Sequence, residues 1–238
     1  MSEQRHGVSR LEGFSDAVFG FALTLLVVSL ETPRTNEALW DLVSGLVPFA
    51  LMFAMVCWIW YEHNVFFRRY GLQDPWTVFL NSVLLFVVLF YVYPLKFLTL
   101  SLAGEFAGRN SMQGVNSQLL MLLYSSGVLT IFVTFILLHR HAWRKRAVLG
   151  LDEADLIRLR FSTRAHGISA GLAAGSIALA LVRPGFAAAA GMLYILMGPL
   201  HAWNGFQGGR ALDAHAARAR QPRSADAGTG AGAPSADA

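Results

Sequence analysis

"FSDAVFGFALTLLVV", residues 14–28, sets a serine and an aspartate at the mouth of an apolar helical run and puts a lone threonine inside it. The charge-free part, Ala17 to Leu30, falls short of the roughly 20 apolar residues a bilayer-spanning helix needs. The stretch spans only if Ser15 and Asp16 lie within the inner end of the membrane. Lipid offers them no hydrogen bonds there, so the protein itself must supply partners.

The rest of the chain favours the spanning reading. Of its 238 residues 55% are hydrophobic and 14% charged, and the charges cluster in a few stretches, whereas a soluble domain spreads them more evenly. Leu42 to Tyr61, Pro75 to Leu95, Asn110 to Leu138 and Pro184 to Gly209 contain no Asp, Glu, Lys or Arg, and Gly167 to Val182 is a shorter run of the same kind. The pattern predicts an all-α integral membrane protein with six transmembrane helices, at about 11–31, 40–62, 75–98, 116–139, 162–182 and 185–206. A secretory signal peptide is the rival reading of the N-terminus, but the run lacks a small-residue cleavage site and more spans follow it.

Orientation follows from where the cations fall. Residues 1–16, 62–74, 139–166 and 207–238 hold 15 of the 19 Lys and Arg. The positive-inside rule therefore places both termini in the cytoplasm, which requires an even number of spans. The net charge of +4 is accounted for by topology and contact with anionic lipid, so the bilayer is the expected partner and nucleic acid is not. The single cysteine, Cys57, excludes an intrachain disulfide and a cysteine metal cluster, and reads as packing.

The longest polar connection, "HRHAWRKRAVLGLDEADLIRLRFSTRAH" at 139–166, reads as a cytoplasmic helical linker or an extension of the flanking spans, with Asp152 or Asp155 opening a helix. Residues 1–209 form the membrane domain, and 210–238, rich in Ala, Gly, Ser and Pro, a disordered cytoplasmic tail. Gly171 and Gly175 form a GxxxG and "AAAAG" closes at Gly191, small residues expected to pack the fifth and sixth spans closely, an oligomer contact being the alternative. No internal repeat stands out.

At about 100° per residue, Arg10, Phe14, Ala17, Phe21, Thr24 and Val28 share one narrow stripe of the first helix, and Asp16 turns away from it. A pore-lining helix has this form, an apolar stripe broken by one hydroxyl, with its acid facing a neighbouring helix of the same subunit. Ordinary helix packing fits the stripe too, and a transmembrane Thr commonly bonds its own backbone one turn back. Partners for Ser15 and Asp16 are available at the same depth: "WIWYEHNVFFRRY" brings Trp60, His63 and Asn64 to the end of the second span, and "PWTVFLN" brings in Asn81. Together they suffice for a buried polar knot.

"RLEGFSDAVFGFALTLLVV" resembles the first helix of the transmembrane protein 175 potassium channels, and "WYEHNVFF" and "FLNSVLLF" resemble that family's second- and third-helix motifs. The resemblance covers the first three helices by motif and the rest by topology. It implies a homotetramer with the first helix lining a central pore that prefers K⁺ as its permeant ion, with no TVGYG filter, no cofactor and no metal. It also implies Ala17, Phe21, Thr24 and Val28 as pore-lining positions, Phe21 marking the constriction where the family carries a bulky aliphatic residue and Thr24 contributing to selectivity. A network of Arg10, Phe14, Ser15, Asp16, Trp60, His63, Asn64 and Asn81 would anchor the pore helix. The family tends to carry two adjacent histidines where this chain has His63 and Asn64.

Two other classes compete, besides a proton-permeable channel of the same fold. A secondary transporter binds substrate near the midplane at broken helices, and Pro48, Pro94 and Pro199 are possible breaks, yet no charge lies at mid-depth to couple an ion. An integral-membrane metalloenzyme would draw on His139, His141, His166 and His201, but needs about three convergent ligands. "HRH" sits among Arg140, Arg144, Lys145 and Arg146, which repel a metal. These histidines read as cytoplasmic interface anchors, and the chain as a non-enzyme.

Overall fold

The computed structural model describes residues 9–28, 33–106, 108 and 113–220, and among them helix is the only regular secondary structure. The helices are α1 (Arg10–Val28), α2 (Asn36–Ser44), α3 (Leu46–Tyr70), α4 (Pro75–Phe106), α5 (Ser117–Arg144), α6 (Glu153–Val182), α7 (Ala187–Met192) and α8 (Met197–Arg220). Five of them, α1 and α3 to α6, contain stretches long and apolar enough to cross a membrane.

Local chemistry fixes most of these boundaries. Ser9 and Glu12 form a capping box in front of α1: Glu12 N donates to Ser9 Oγ at 3.2 Å and Ser9 N to Glu12 Oε2 at 3.1 Å. Thr35 caps α2 through Ala38 N at 3.1 Å. Gly71, at φ +57°, closes α3 with its N–H on Phe67 O, a left-handed cap that a side chain would strain. Asn116 and Asp152 cap α5 and α6 by accepting from Leu119 N and Asp155 N.

Several boundaries differ from those expected. The helix expected at 40–62 is two, α2 and α3, meeting at Gly45. The connection at 139–166 is mostly an extension of its flanking spans, α5 reaching Arg144 and α6 starting at Glu153, because Asp152 supplies a stronger start signal than anything nearer the apolar run. The sixth span, expected as one helix at 185–206, is a 3₁₀ turn at Pro184–Phe186, α7, a second 3₁₀ turn at Leu193–Leu196 and the first part of α8. α8 continues through Arg220, past position 210 where the tail was expected to begin; residues 221–238, and the end of the first expected span at 29–31, lie outside the described residues. Pro94 does not break α4, and Pro48 and Pro199 fall in the first turns of α3 and α8, where their missing N–H groups cost nothing.

The core is built where α5 pairs with α6 and where α1 and α3 meet α4. Phe19, Phe66, Phe67, Leu84, Phe135, Leu138 and Leu159 are almost wholly buried there. Small residues pack the fifth and sixth spans together only in part as expected. Gly171 and Gly175 are exposed, and only Gly175 lies near another helix region, with a Cβ there 3.8 Å from Leu193. The tight approaches are Gly208 of α8 beneath Phe161 of α6, Gly191 against Met121, and Gly127 of α5 beneath the ring of Tyr91.

His139 and His166 are not interface anchors. Because α5 and α6 both run past their apolar segments, these residues fall inside the helix pair, buried and with ring centroids 4.8 Å apart. Phe135 stacks on His166 at 4.9 Å. His201 is half-buried and bonds Ser169 Oγ through Nε2 at 2.8 Å.

Candidate functional site

α1 has two unlike faces. Ser15, Phe19, Ala22 and Leu26, spaced by four, three and four, are buried against the rest of the subunit. Half a turn round the helix, Arg10, Phe14, Ala17, Phe21, Thr24 and Val28 are all exposed, Phe21 at 58% and Val28 at 73%. A face this apolar and this bare marks a site of contact with lipid, another chain or a lumen.

Within the bare face Thr24 has its hydroxyl proton committed, Oγ1 donating to Gly20 O at 2.8 Å. That is the backbone bond expected of a lone transmembrane Thr. It leaves the oxygen lone pairs of Thr24 pointing away from the helix.

On the covered face a polar chain crosses three helices. Ser15 Oγ donates to Leu11 O at 2.8 Å. With that proton spent, Ser15 can only accept from its other neighbour, and Asn81 Nδ2 of α4 donates to it at 2.9 Å. Asn81 Oδ1 therefore faces His63 of α3, 2.7 Å from Nε2, and since a carbonyl oxygen only accepts, Nε2 carries the proton. His63 Nδ1 is buried without a partner, and the ring lies between Phe19 and Phe67, with centroids at 5.5 and 4.5 Å. The chain fixes the rotation of α1 about its own axis, and hence which residues the bare face presents.

Asp16 takes a separate partner nearer the surface: Trp60 Nε1 donates to its Oδ1 at 2.7 Å. Both residues belong to the same subunit, so the carboxylate is held toward α3 and away from the Phe21 stripe. Of the other residues expected in the network, Phe14 lies on the bare face, and among the described residues Arg10 and Asn64 make no hydrogen bond or ion pair with the set. Arg10 is exposed and Asn64 half-buried.

A second polar cluster was not anticipated. Asp74 accepts from Thr77 Oγ1 at 2.9 Å and, more loosely, from Thr77 N, capping α4. Its oxygens also lie 3.0 Å from His141 Nε2 and 3.1 Å from Lys145 Nζ, at the end of α5. Burial would raise the Asp74 pKa, but the hydrogen bonds from His141, Thr77 and Lys145 outweigh it and hold the carboxyl well below the usual range. The signal was in the sequence: Asp74 directly before Pro75 is a helix-start pair. Nothing in the sequence indicated that "HRHAWRK" would reach it.

The family model described as "Endosomal/lysosomal potassium channel TMEM175" matches residues 10–91, which take in α1, α2, α3 and the first half of α4. A protein of Marivirga tractuosa named as a potassium channel is 37% identical, over 74% of this chain and 76% of its own length. A potassium channel of Chamaesiphon minutus is 30% identical over 36% of this chain. Among solved structures, a variant of the potassium channel MtTMEM175 in complex with a nanobody–MBP fusion superposes with a TM-score of 0.75 at 35% identity, covering 88% of this chain and 97% of that one. The fold is shared also with a TMEM175 homologue from Chamaesiphon minutus, at a TM-score of 0.59 and 21% identity.

Proposed function

This chain belongs to the TMEM175 family of potassium channels, and we propose that it conducts K⁺ passively, in preference to Na⁺, through a homotetramer in which four copies of α1 surround a central pathway. The observation that carries this reading is the bare face of α1. A subunit that covers Ser15, Phe19, Ala22 and Leu26 and leaves the Phe21 stripe open has a helix still to be paired, and fourfold symmetry pairs it with itself.

In that arrangement Ala17, Phe21, Thr24 and Val28 line the pathway, and Phe21 forms its narrowest ring. Four phenyl groups close a pore by dewetting, and their faces attract a cation that reaches them. Thr24, its proton given to Gly20, offers four oxygens to a dehydrating K⁺. The sequence contains no TVGYG segment, so selectivity rests on these side chains rather than on a carbonyl filter. The cation is cargo, and the mechanism requires no cofactor. The bacterial relatives and the apolar helices support a place in a bacterial inner membrane, crossed several times, and the distribution of Lys and Arg supports both termini in the cytoplasm.

The test is K⁺ flux into liposomes holding the purified protein, wild type beside Phe21→Ala, repeated with Na⁺. Faster flux from the mutant supports a constriction at residue 21. Unchanged flux from an intact Phe21→Ala tetramer refutes it.

A further inference from the structure

α6 and α8 pack along each other, and one exposed face of the pair collects arginines. Arg164 is the last charged residue before the apolar length of α6, and Arg210 of α8 is the first after the charge-free run Pro184 to Gly209. Each helix therefore leaves the apolar layer at an arginine. Arg160 lies one turn from Arg164 on the same face, about 6 Å further toward the polar end of α6. All three are exposed and, among the described residues, take part in no ion pair. The acids at this end of α6 are engaged elsewhere, Asp155 with Arg158 at 3.1 Å and Glu153 with His215 at 3.4 Å. Asp213 stands a turn beyond Arg210, still further from the apolar layer.

Two of the arginines are held in place. Arg164 Nη1 donates to Gln207 Oε1 at 2.7 Å, and its guanidinium lies 4.8 Å from the ring centroid of Trp203. The Arg210 guanidinium lies 5.7 Å from that of Phe206. Stacking occupies the face of a guanidinium and leaves its N–H edge free, and of the five N–H groups of Arg164 only one is spent on Gln207. The rings beneath are themselves open: Trp203 is 51% exposed and Phe206 66%, and two turns further into the apolar run Leu196 is 47% exposed. A fixed N–H fork beside bare aromatic and aliphatic surface suits a molecule whose anion adjoins its hydrocarbon.

We propose that this face binds an anionic phospholipid of the adjoining leaflet, a phosphodiester with no ammonium of its own, the chemistry of phosphatidylglycerol. The phosphate takes the free edge of Arg164, Arg160 and Arg210 add positive charge on its polar side, and the acyl chains lie along Trp203 and Leu196. The depths follow the order of a lipid, with cations outermost, aromatic rings at the boundary and apolar side chains inward. A zwitterionic lipid brings its own ammonium and answers less of the charge of three arginines, whereas a phosphodiester anion meets the fork with two oxygens. α1 packs on α3 and α4, so the inference is independent of which face of α1 lines the pathway.

The test is native mass spectrometry of the full-chain protein in detergent, offered equimolar phosphatidylglycerol and phosphatidylcholine with matched acyl chains. Wild type should retain phosphatidylglycerol about tenfold over phosphatidylcholine, the ratio one charge-assisted hydrogen bond supplies. Arg160→Gln combined with Arg164→Gln should bring that ratio near one, and Arg164→Lys, which keeps the charge without the fork, should lower it. Arg140→Gln combined with Arg144→Gln removes the same charge from exposed positions on α5 and should leave the ratio as it is. Equal retention of the two lipids by wild type overturns the proposal, as does a preference that survives the α6 substitutions. A preference that falls as far with the α5 pair overturns it too, because the attraction then belongs to the basic surface as a whole.

Discussion

Asn81 Nδ2 donates to Ser15 Oγ across 2.9 Å, joining α4 to α1 at a point both residues bury completely or nearly so. The bond sits in a chain whose every proton has one direction, from His63 through Asn81 and Ser15 to Leu11 O. Removing the middle member is therefore worse than removing an end. Asn81→Ala should leave the His63 Nε2–H buried without an acceptor and cost about 1–3 kcal/mol. A drop in the thermal midpoint of the purified protein larger than that from Ser15→Ala is the expected reading.

The bond from Trp60 to Asp16 is more exposed, and on the proposed reading it supports α1 rather than lining the pathway. Asp16→Ala should reduce the yield of assembled protein on size exclusion and leave the K⁺ to Na⁺ flux ratio of whatever assembles near that of wild type. Normal assembly with a changed ratio would place the carboxylate on the pathway instead.

Thr24 gives its proton to Gly20 O, so its oxygen is an acceptor toward the bare face. Thr24→Val keeps the shape and removes the acceptor. The expected result is a folded channel whose K⁺ and Na⁺ fluxes in liposomes converge, while Thr24→Ser preserves the difference.

Asp74 predicts an acid limb of stability. Its carboxyl titrates lower in the folded protein than its ordinary value of 3.8, so the unfolded chain binds the proton first. The stabilisation is fully present above the ordinary value and is lost as pH falls toward the depressed one. Asp74→Asn keeps a capping oxygen but removes the negative charge that meets His141 and Lys145, and should cost about 1 kcal/mol at neutral pH. The gap in melting temperature between wild type and mutant should then narrow from about pH 5 to pH 3, and a gap that widens would contradict the sign.

The faces of α1 were legible in sequence because a helix repeats every 3.6 residues and the segment holds few polar groups, each of which needs a partner. Serine, aspartate, histidine and asparagine at one depth left few ways to pair. The structure keeps three of them, Ser15, His63 and Asn81, in one chain and gives Asp16 to Trp60. Helix ends read less well. Hydropathy reports where apolar surface stops, whereas α6 begins at Glu153 where Asp152 caps it, nine residues before the expected start at 162. The burial of His139 and His166 was hidden for the same reason: their neighbours in sequence are cationic, and only the pairing of α5 with α6 turns them inward.

The division of α1 into a covered and a bare face also bears on how such a protein changes over generations. Phe21 is 58% exposed on its own subunit, so exchanging it carries little folding cost. Phe19, two residues away, has no such freedom. Lineages can thus exchange aromatic and aliphatic side chains on the bare face while the subunit that presents them stays the same.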